Sequence, residues 1–457
     1  MSKTVKIIVD QKPYEAEEGS LLIDLLIKHE IKVPYFCYHE SLGADGNCRM
    51  CMVGIVGQKR PQIACDTLIK EGLEVNTQEE SIQKVRTDIL ELELINHPVD
   101  CPTCDQAGEC SLQDFYMDYG LHNAKVNITD KVKMQKHVDL GSHVMLDQER
   151  CVLCARCTRF TDQITHTHEL GIIGRGNHAR VSTMPGKKLD NPYAMNVVDL
   201  CPVGALTSAD FRFSQRVWFL KSTEAICQGC AKGCNIYIDH NKPKYQDDRI
   251  YRFRPRRNDD VNGFYICDAG RLSYKLSQEN RLDTLQYANS TISEEEALQK
   301  ITQEITQHRG NIALVIDANL YTEEIVALIA FAQEINAKVY TPLACYHDDD
   351  FGDEMLRSSQ RAANAKTVQD LQRNTNMPHE EALLLNFNHP QPFSIQKQIH
   401  FTTHLRQTEA LQIPLSDYTE HSGTLTNEDG IIQHSQKALS KNSPMPTVLE
   451  WLEKIRS

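Results

Sequence analysis

Sixteen cysteines are spread unevenly over 457 residues: fifteen precede residue 268, in runs whose spacing suits metal ligation. With one histidine they form four sets of four: Cys37, Cys48, Cys51 and Cys65; His97, Cys101, Cys104 and Cys110; Cys151, Cys154, Cys157 and Cys201; and Cys227, Cys230, Cys234 and Cys267. Four quartets of soft donors in one polypeptide point to a series of iron–sulfur clusters, and so to electron transfer. A chain punctuated in this way does not fold around one large core. The sets divide its first 270 or so residues into four blocks.

Each set has its own pattern. The first has a wide gap, a close pair and a distant fourth thiolate, which suits a 2Fe-2S centre held by one long loop and a returning strand. A zinc ribbon, or buried cysteines without metal, is the alternative, although ribbons usually present two close pairs. In the second set a histidine joins three cysteines at +4, +7 and +13. A neutral imidazole in place of a thiolate removes negative charge and raises a cluster's potential. A histidine at a helix end is ordinarily a cap or a surface residue, and a structural zinc site with these same ligands also stays open. The third set, C-x2-C-x2-C with a remote C-P, is the bacterial-ferredoxin arrangement for a 4Fe-4S cluster. Thr161 stands where a two-cluster ferredoxin carries another cysteine, so Cys201 completes this set. The fourth, C-x2-C-x3-C with Cys267 downstream, fits a 4Fe-4S cubane or a structural zinc. Cys345 stands alone and reads as a small core residue.

Local patterns suggest the frame that carries these loops. Residues 4–9 read as a strand, Gln11–Pro13 as a turn and 14–16 as a second strand, with Ser20 placed to cap a helix over 21–30. Gly43 and Gly46 precede two ligands and allow backbone N–H groups to approach cluster sulfur. Thr77 and Glu80 have capping-box spacing, and Ile82, Val85, Ile89 and Leu92 recur on one face, so 79–95 should be a helix stopped by Pro98. A strand should lead into the Cys151 loop. After Gly270 the composition becomes rich in Gln, Asn, His and Thr; Ile312–Asp317, Thr322–Ile335 and Ala337–Tyr340 read as a βαβ unit, with a further strand at Ala382–Phe387.

Other functions are disfavoured. Forty-nine basic against sixty-two acidic residues give a net charge of −13, which argues against nucleic acid or anionic lipid as the main partner. The amino terminus lacks the pattern of a secretory signal, and the most apolar stretch, 312–335, is broken by Asp317, Glu323 and Glu324. The chain thus reads as cytosolic, where close cysteine pairs are metal ligands rather than disulfides. Neither GxGxxG nor a phosphate loop is found. Asp45-Gly46, Asp259-Asp260 and His347–Asp350 read as turns or solvated charge.

Across residues 1 to about 275 the motifs PYFCYHE, GNCRMC, HPVDCPTCDQAGECSLQD, CVLCARCTRF, DLCPVGAL and NDDVNGFYICDAGR closely resemble the large iron–sulfur subunit family of the peripheral arm of respiratory complex I, the bacterial NADH-quinone oxidoreductase. The resemblance implies an α+β multidomain chain. Its parts would be a β-grasp 2Fe-2S ferredoxin-like domain (1–78), a helical segment with one-histidine, three-cysteine 4Fe-4S ligation (79–119) and a 4Fe-4S ferredoxin-like domain (120–217). A 4Fe-4S molybdopterin-oxidoreductase-type domain (218–274) and a shortened molybdopterin-oxidoreductase-like α/β domain (275–457) would follow. It also implies one 2Fe-2S and three 4Fe-4S clusters on the sixteen ligands named.

In that family electrons from NADH reach flavin in a neighbouring subunit, then the 2Fe-2S centre of Cys37, the cubane of Cys151 and the His97 cubane, and leave towards quinone. The Cys227 cubane lies off this line. The implied partners are the flavin- and NADH-binding subunit and other peripheral-arm subunits, with the membrane arm reached indirectly, on the cytoplasmic side of the inner membrane. Two departures argue against molybdopterin: the carboxy-terminal part is short, and Ala269 stands where molybdenum enzymes of the superfamily carry a basic residue. EHSGTLTNEDGIIQ at 420–433 resembles a late motif of that fold, with Ile431 where relatives often have Arg. An iron-only hydrogenase shares the first two blocks but needs further cysteines where only Cys345 is available. A molybdenum formate dehydrogenase lacks its length and metal ligand here, and a zinc-bound scaffold is the non-redox alternative.

Overall fold

The computed structural model describes residues 3–123, 125–241, 249–371, 374–439 and 445–457, and the chain divides into two units, residues 1–218 and 219–457. The first opens on β1 (Thr4–Val9), whose alternate residues Val5, Ile7 and Val9 are buried, and β2 (Lys12–Glu17). Asp10 and Gln11 make the turn between them with φ of 47° and 67°, the hand that a two-residue hairpin requires. The turn is therefore earlier than the sequence suggests. Pro13 lies inside β2 opposite Ile8, tolerated because β2 is the sheet edge.

The next helix, α1 (Leu22–Lys28), buries Leu22, Ile23, Leu25 and Leu26. Ser20 does not cap it. Its hydroxyl donates back to the Glu17 carbonyl at 2.7 Å, and the Leu22 N–H is met by the Thr67 carbonyl at 2.8 Å. Strands β3 (Met52–Ile55), β4 (Gln62–Ile63) and β5 (Glu74–Asn76) complete a five-stranded sheet of order β2-β1-β5-β3-β4, in which β1 and β5 are parallel.

The expected long helix is present as α2 (Glu80–Leu94), but its capping box is not. The Thr77 N–H and hydroxyl donate instead to the Asp10 carboxylate at 2.6 and 2.5 Å. The buried face is also rotated, to Ile82, Arg86 and Leu90, leaving Leu92 66% exposed. Arg86 explains the shift: its guanidinium donates to the Met52 carbonyl from Nε at 3.1 Å and from Nη2 at 2.7 Å. A buried cation with such partners outweighs the apolar pattern. α3 (Ser111–Tyr119) packs on this helix, with Thr87 donating to the Tyr119 carbonyl at 3.0 Å.

The rest of the first unit is short elements around ligand loops: β6 (Val138–Asp139), β7 (Val144–Leu146), α4 (Arg156–Arg159), β8 (Leu170–Ile173), β9 (Arg180–Thr183), α5 (Asn196–Leu200) and β10 (Leu206–Ser208). β10, β7 and β6 form one antiparallel sheet; β8 and β9 pair separately.

The second unit begins with an antiparallel meander of β11 (Leu220–Ile226), β12 (Asn235–Asn241) and β13 (Ile250–Pro255), followed by α6 (Asp268–Leu272). Next come β14 (Gln286–Tyr287), β15 (Ser290–Thr291), α7 (Glu294–Gln307), β16 (Ile312–Ile316), α8 (Thr322–Glu334), β17 (Lys338–Tyr340) and α9 (Ala365–Leu371). β18 (Leu383–Phe387), β19 (Lys397–Thr402), β20 (Leu411–Pro414), the hairpin β21 (Gly423–Thr426) and β22 (Ile432–Ser435), and α10 (Val448–Arg456) complete it. The expected βαβ unit and later strand are all found, as β16, α8, β17 and β18. They lie in a seven-stranded sheet of order β15-β14-β20-β19-β18-β16-β17, parallel from β20 to β17.

Every residue of β16 and β18 is buried, as strands covered on both faces must be. The Phe387 and Phe401 rings stack at 4.3 Å in the centre. Phe387→Ala should therefore cost about 3–5 kcal/mol, seen as an earlier denaturant transition of the strand-rich core while the cysteine-bearing first unit is unaffected.

Candidate metal centres

The loop joining α1 to β3 carries Cys37, Cys48 and Cys51, and Cys65 returns just after β4; all four are buried. Their thiols touch one another. Hydrogen bonding of Cys37 with Cys48 and Cys65, and of Cys51 with Cys65, lowers the pKa of Cys37 and Cys51 and raises that of Cys48 and Cys65. The Gly46 N–H points to Cys37 Sγ and the Phe36 N–H to Cys48 Sγ at 3.4 Å. Gly46 has φ of +72°, and a Cβ there would stand 3.2 Å from Ile63 Cδ1, so glycine serves both the turn and the close approach.

His97, Cys101, Cys104 and Cys110 line one small cavity of about 40 Å³ beyond the end of α2. Burial holds the His97 imidazole down to about 4, so it is neutral at neutral pH, the form that can ligate a metal. Burial pushes the Cys110 thiol up to about 11 against the N–H groups of Gln113 and Leu112. Around the cavity, Lys131 donates to the carbonyls of Leu94 and His97, both at 2.7 Å, and Arg216 to those of Cys104 and Pro102 at 2.5 and 2.7 Å. Asp100 is drawn to Arg150 at 2.9 Å and Lys136 at 3.3 Å. Burial works against its charge, but these two cations hold it down to about 2.

The third set folds tightly because Leu153 and Ala155 adopt φ of 50° and 61°, turning the chain so that Cys151, Cys154 and Cys157 face one place. Burial raises all three thiols and that of Cys201, and the charge of Cys201 further penalises ionisation of Cys151, Cys154 and Cys157. N–H groups oppose this. Those of Val203, Leu206 and Ala205 point at Cys201, and that of Leu153 lies 3.4 Å from Cys151 Sγ. The thiolate form needed for ligation is favoured by such donors, and binding a metal drives off the remaining protons.

In the second unit Cys227, Cys230 and Cys234 lie between β11 and β12, closed by the Cys227 N–H to the Cys234 carbonyl at 2.8 Å. Cys267 caps α6, accepting the Gly270 N–H at 3.2 Å, and the Gly229 N–H lies 3.4 Å from Cys227 Sγ. A Cβ at Gly270 would meet Cys227 Sγ at 3.0 Å and Cys267 Sγ at 3.3 Å. The members of each expected quartet lie near one another; twelve of the sixteen are buried, while His97, Cys101, Cys151 and Cys201 are partly exposed. Among the described residues no group of three or more His, Cys, Asp or Glu side chains stands at the spacing of a single bound ion. The donor sets and their N–H groups fit iron–sulfur clusters.

Within the first unit the sets adjoin. Cys48 and Cys151 both line a cavity of about 350 Å³, with Glu93, which burial pushes up to about 7. Asn47 donates to the Leu153 carbonyl at 3.1 Å. The Ser111 N–H, next to Cys110, donates to the Pro202 carbonyl, next to Cys201, at 2.9 Å. A Cβ at Gly204 would collide with Cys104 Sγ and stand 3.1 Å from Gln106 Cβ. None of these junctions has a sequence signature, because each joins residues distant along the chain.

Elsewhere the expected bland groups are surface charge: Asp259 pairs with Arg257, and His347 with Asp349. Cys345 is only half-buried, not a plain core residue, with Sγ 2.9 Å from the Pro342 carbonyl and 3.3 Å from His389 Nε2. A cavity of about 580 Å³ opens where β16, β18, β19 and β20 end, lined by Ala269, Asp317, Asn388, Arg406 and Asp417 among others. Burial raises both acids, Asp317 to about 6, while Tyr346 and Asn388 hold its carboxylate at 2.7 and 3.1 Å.

Four family models match successive segments of the chain. They are described as a 2Fe-2S iron-sulfur cluster binding domain (2–80), an NADH-ubiquinone oxidoreductase-G iron-sulfur binding region (86–125), the ferredoxin-like domain of NADH-quinone oxidoreductase subunit 3 (141–207) and a molybdopterin oxidoreductase Fe4S4 domain (220–279). The chain is 34% identical over 375 residues to the NADH-ubiquinone oxidoreductase 75 kDa subunit of Reclinomonas americana, covering 78% of this chain and 52% of that protein. It is 35% identical over 337 residues to an NADH-quinone oxidoreductase subunit of Streptomyces coelicolor, covering 72% and 39% respectively. The chain thus spans about half or less of the length of these relatives. A solved chain of an NAD+-reducing [NiFe]-hydrogenase is 27% identical, with a TM-score of 0.42, covering 47% of this chain and 91% of that one.

Gly204→Ala should displace Cys104, removing the iron and the reduced-state EPR signal of the His97 centre while sparing that of Cys151; an unaltered spectrum would show that Cys104 does not depend on that contact. A second expectation concerns metal-free protein. The His97 value is depressed in the fold from about 6.5, so the stability held above pH 6.5 should decline as pH falls towards about 4. Denaturant midpoints at pH 7 and 5 should differ less in His97→Gln.

Proposed function

From its sequence kinship with the large iron–sulfur subunits of NADH-quinone oxidoreductase, we propose that this chain is the iron–sulfur electron-relay subunit of such a complex. It performs no bond chemistry of its own. Cys37, Cys48, Cys51 and Cys65 hold a 2Fe-2S cluster, and the other three quartets hold 4Fe-4S clusters, His97 being the single imidazole ligand. The observation that carries this reading is the succession of three largely buried quartets in one unit, the first adjoining the third at Asn47 and Leu153, and the third adjoining the second at Gly204 and Cys104. That adjacency supports a route from the Cys37 centre to the Cys151 centre and on to the His97 centre. The Cys227 set belongs to the other unit, and we assign it no part in this route.

The domain limits we propose are 1–78, 79–119, 120–217, 218–274 and 275–457, with the five-stranded sheet and α1 as the β-grasp. A flavin- and NADH-binding subunit supplies the electrons, and other peripheral-arm subunits receive them on the way to quinone, the whole complex coupling this to proton translocation. An apolar groove of about 610 Å³ beside the His97 cavity supports exit there. Leu92, Ile95, Val99 and Ile128 line it and are exposed, as an interface core would be in an isolated chain. No described helix is long and apolar enough to cross a membrane. The chain would attach peripherally, through its partners, on the cytoplasmic side of the inner membrane. It binds no molybdopterin in this reading, because Ala269 offers no cation where molybdenum enzymes of the superfamily carry a basic residue.

Oxygen-free purification of the complex should yield iron and reduced-state EPR signals of both cluster types, whereas zinc without paramagnetic signals would return the chain to the scaffold reading. Cys154→Ala should abolish NADH-driven quinone reduction, and Cys230→Ala should leave the rate per assembled complex largely intact. Equal loss in both would contradict the side position of the Cys227 centre.

A further inference from the structure

Two arginines of the Cys151 loop extend into the Cys37 loop. Arg156, buried, donates from Nη2 to the Tyr38 carbonyl at 2.6 Å and from Nη1 to the Leu200 carbonyl at 3.1 Å. It thereby touches the residue after Cys37 and the residue before Cys201, and its guanidinium lies 5.9 Å from the centre of the Tyr35 ring. Arg159 donates from Nη2 to the carbonyl of Cys37 itself, and from Nη1 to those of Leu42 and Gly43 at 3.0 and 3.1 Å. Both start from α4, whose first turn is fixed by the left-handed Ala155 and by the ligand Cys157 within it. Five main-chain carbonyls are thus gathered by two rigid, planar forks, a geometry that lysine cannot supply.

Two further features point towards the clusters. Among the described residues Arg156 Nε and Arg159 Nε are buried donors without a hydrogen-bond partner, an arrangement that is ordinarily unfavourable. Sulfur of a bound cluster would be an acceptor chemically suited to such donors. Arg156 also lies in the field of Cys154, Cys201 and Cys37 at once, so one fixed positive charge is shared by two anionic centres.

We infer that Arg156 and Arg159 are positioning residues for electron transfer between the Cys37 centre and the Cys151 centre, fixing the two ligand loops against each other and placing positive charge between them. The inference rests on the proposed relay function. The step concerned moves one electron, supplied by NADH through the flavin partner; the Cys37 centre is oxidised and the Cys151 centre reduced, with no bond made or broken. Removing either cation should make the neighbouring centres harder to reduce, and loosening the loops should slow the transfer.

The test uses the assembled complex carrying Arg159→Gln, Arg159→Lys, Arg156→Gln or Arg156→Lys, with iron content and EPR of every centre measured first. Absence of iron–sulfur signals in the unaltered complex would refute the relay function itself, an outcome distinct from failure of the arginine proposal. In Arg159→Gln the electron affinity of the 2Fe-2S centre should fall about tenfold, a midpoint lower by about 59 mV for one electron. NADH-driven reduction of the Cys151 centre, monitored by freeze-quench EPR, should slow by about tenfold. Arg159→Lys, which keeps the charge, should restore the midpoint but only part of the rate. The Arg156 pair should shift both centres. Unchanged midpoints and unchanged transfer rate at full iron content would overturn the proposal. If a Gln variant loses a cluster, the Lys variants decide: a wild-type rate in both overturns it, and a slowed rate with the midpoint kept supports it.

Discussion

Thiolates must be kept out of water yet kept ionised, and the whole chain is arranged around that conflict. Burial alone pushes these thiols towards their protonated form, as at Cys110 and Cys267, both near 11. What opposes it is the backbone. The N–H groups of Gly46, Leu153, Val203 and Gly270 each point at a ligand sulfur, and a donor fixed in the main chain costs no side-chain entropy to hold in place. The demand for such donors explains why the ligands sit on turns and helix starts rather than within strands.

The large features were readable because they depend on local pattern. Ligand spacing is a property of short stretches, and the strands β16 and β18 show themselves as unbroken apolar runs. The failures came where a distant partner won. Ser20 was free to turn back because Thr67 meets the first N–H of α1, and Thr77 left its capping role for Asp10, sixty-seven residues away. In α2 the periodicity was right but the face was wrong, since nothing near Arg86 in sequence reveals that the Met52 carbonyl waits for it.

The same limit applies to the centres. All sixteen candidate ligands could be proposed from spacing, whereas the residues that relate one set to another could not. Arg150, Arg156 and Arg159 look in sequence like ordinary surface cations beside a cysteine motif. Their importance comes from reaching across fifty to more than one hundred residues to an acid or a carbonyl. Cation and carbonyl pairing of this kind is also robust: it neutralises main-chain dipoles inside the protein without requiring a second buried charge.

The closing ligand of the Cys151 set arrives late, after α5, and its neighbour Gly204 lies against Cys104 of the preceding set. During synthesis a ribosome therefore releases all four donors of the His97 set well before the surface that confines them exists. Neither set attains its final shape until residue 204 has emerged. Closure of these two candidate sites is consequently a joint event, and a nascent chain halted between the two sets would leave the thiols of the first without the surface that shelters them.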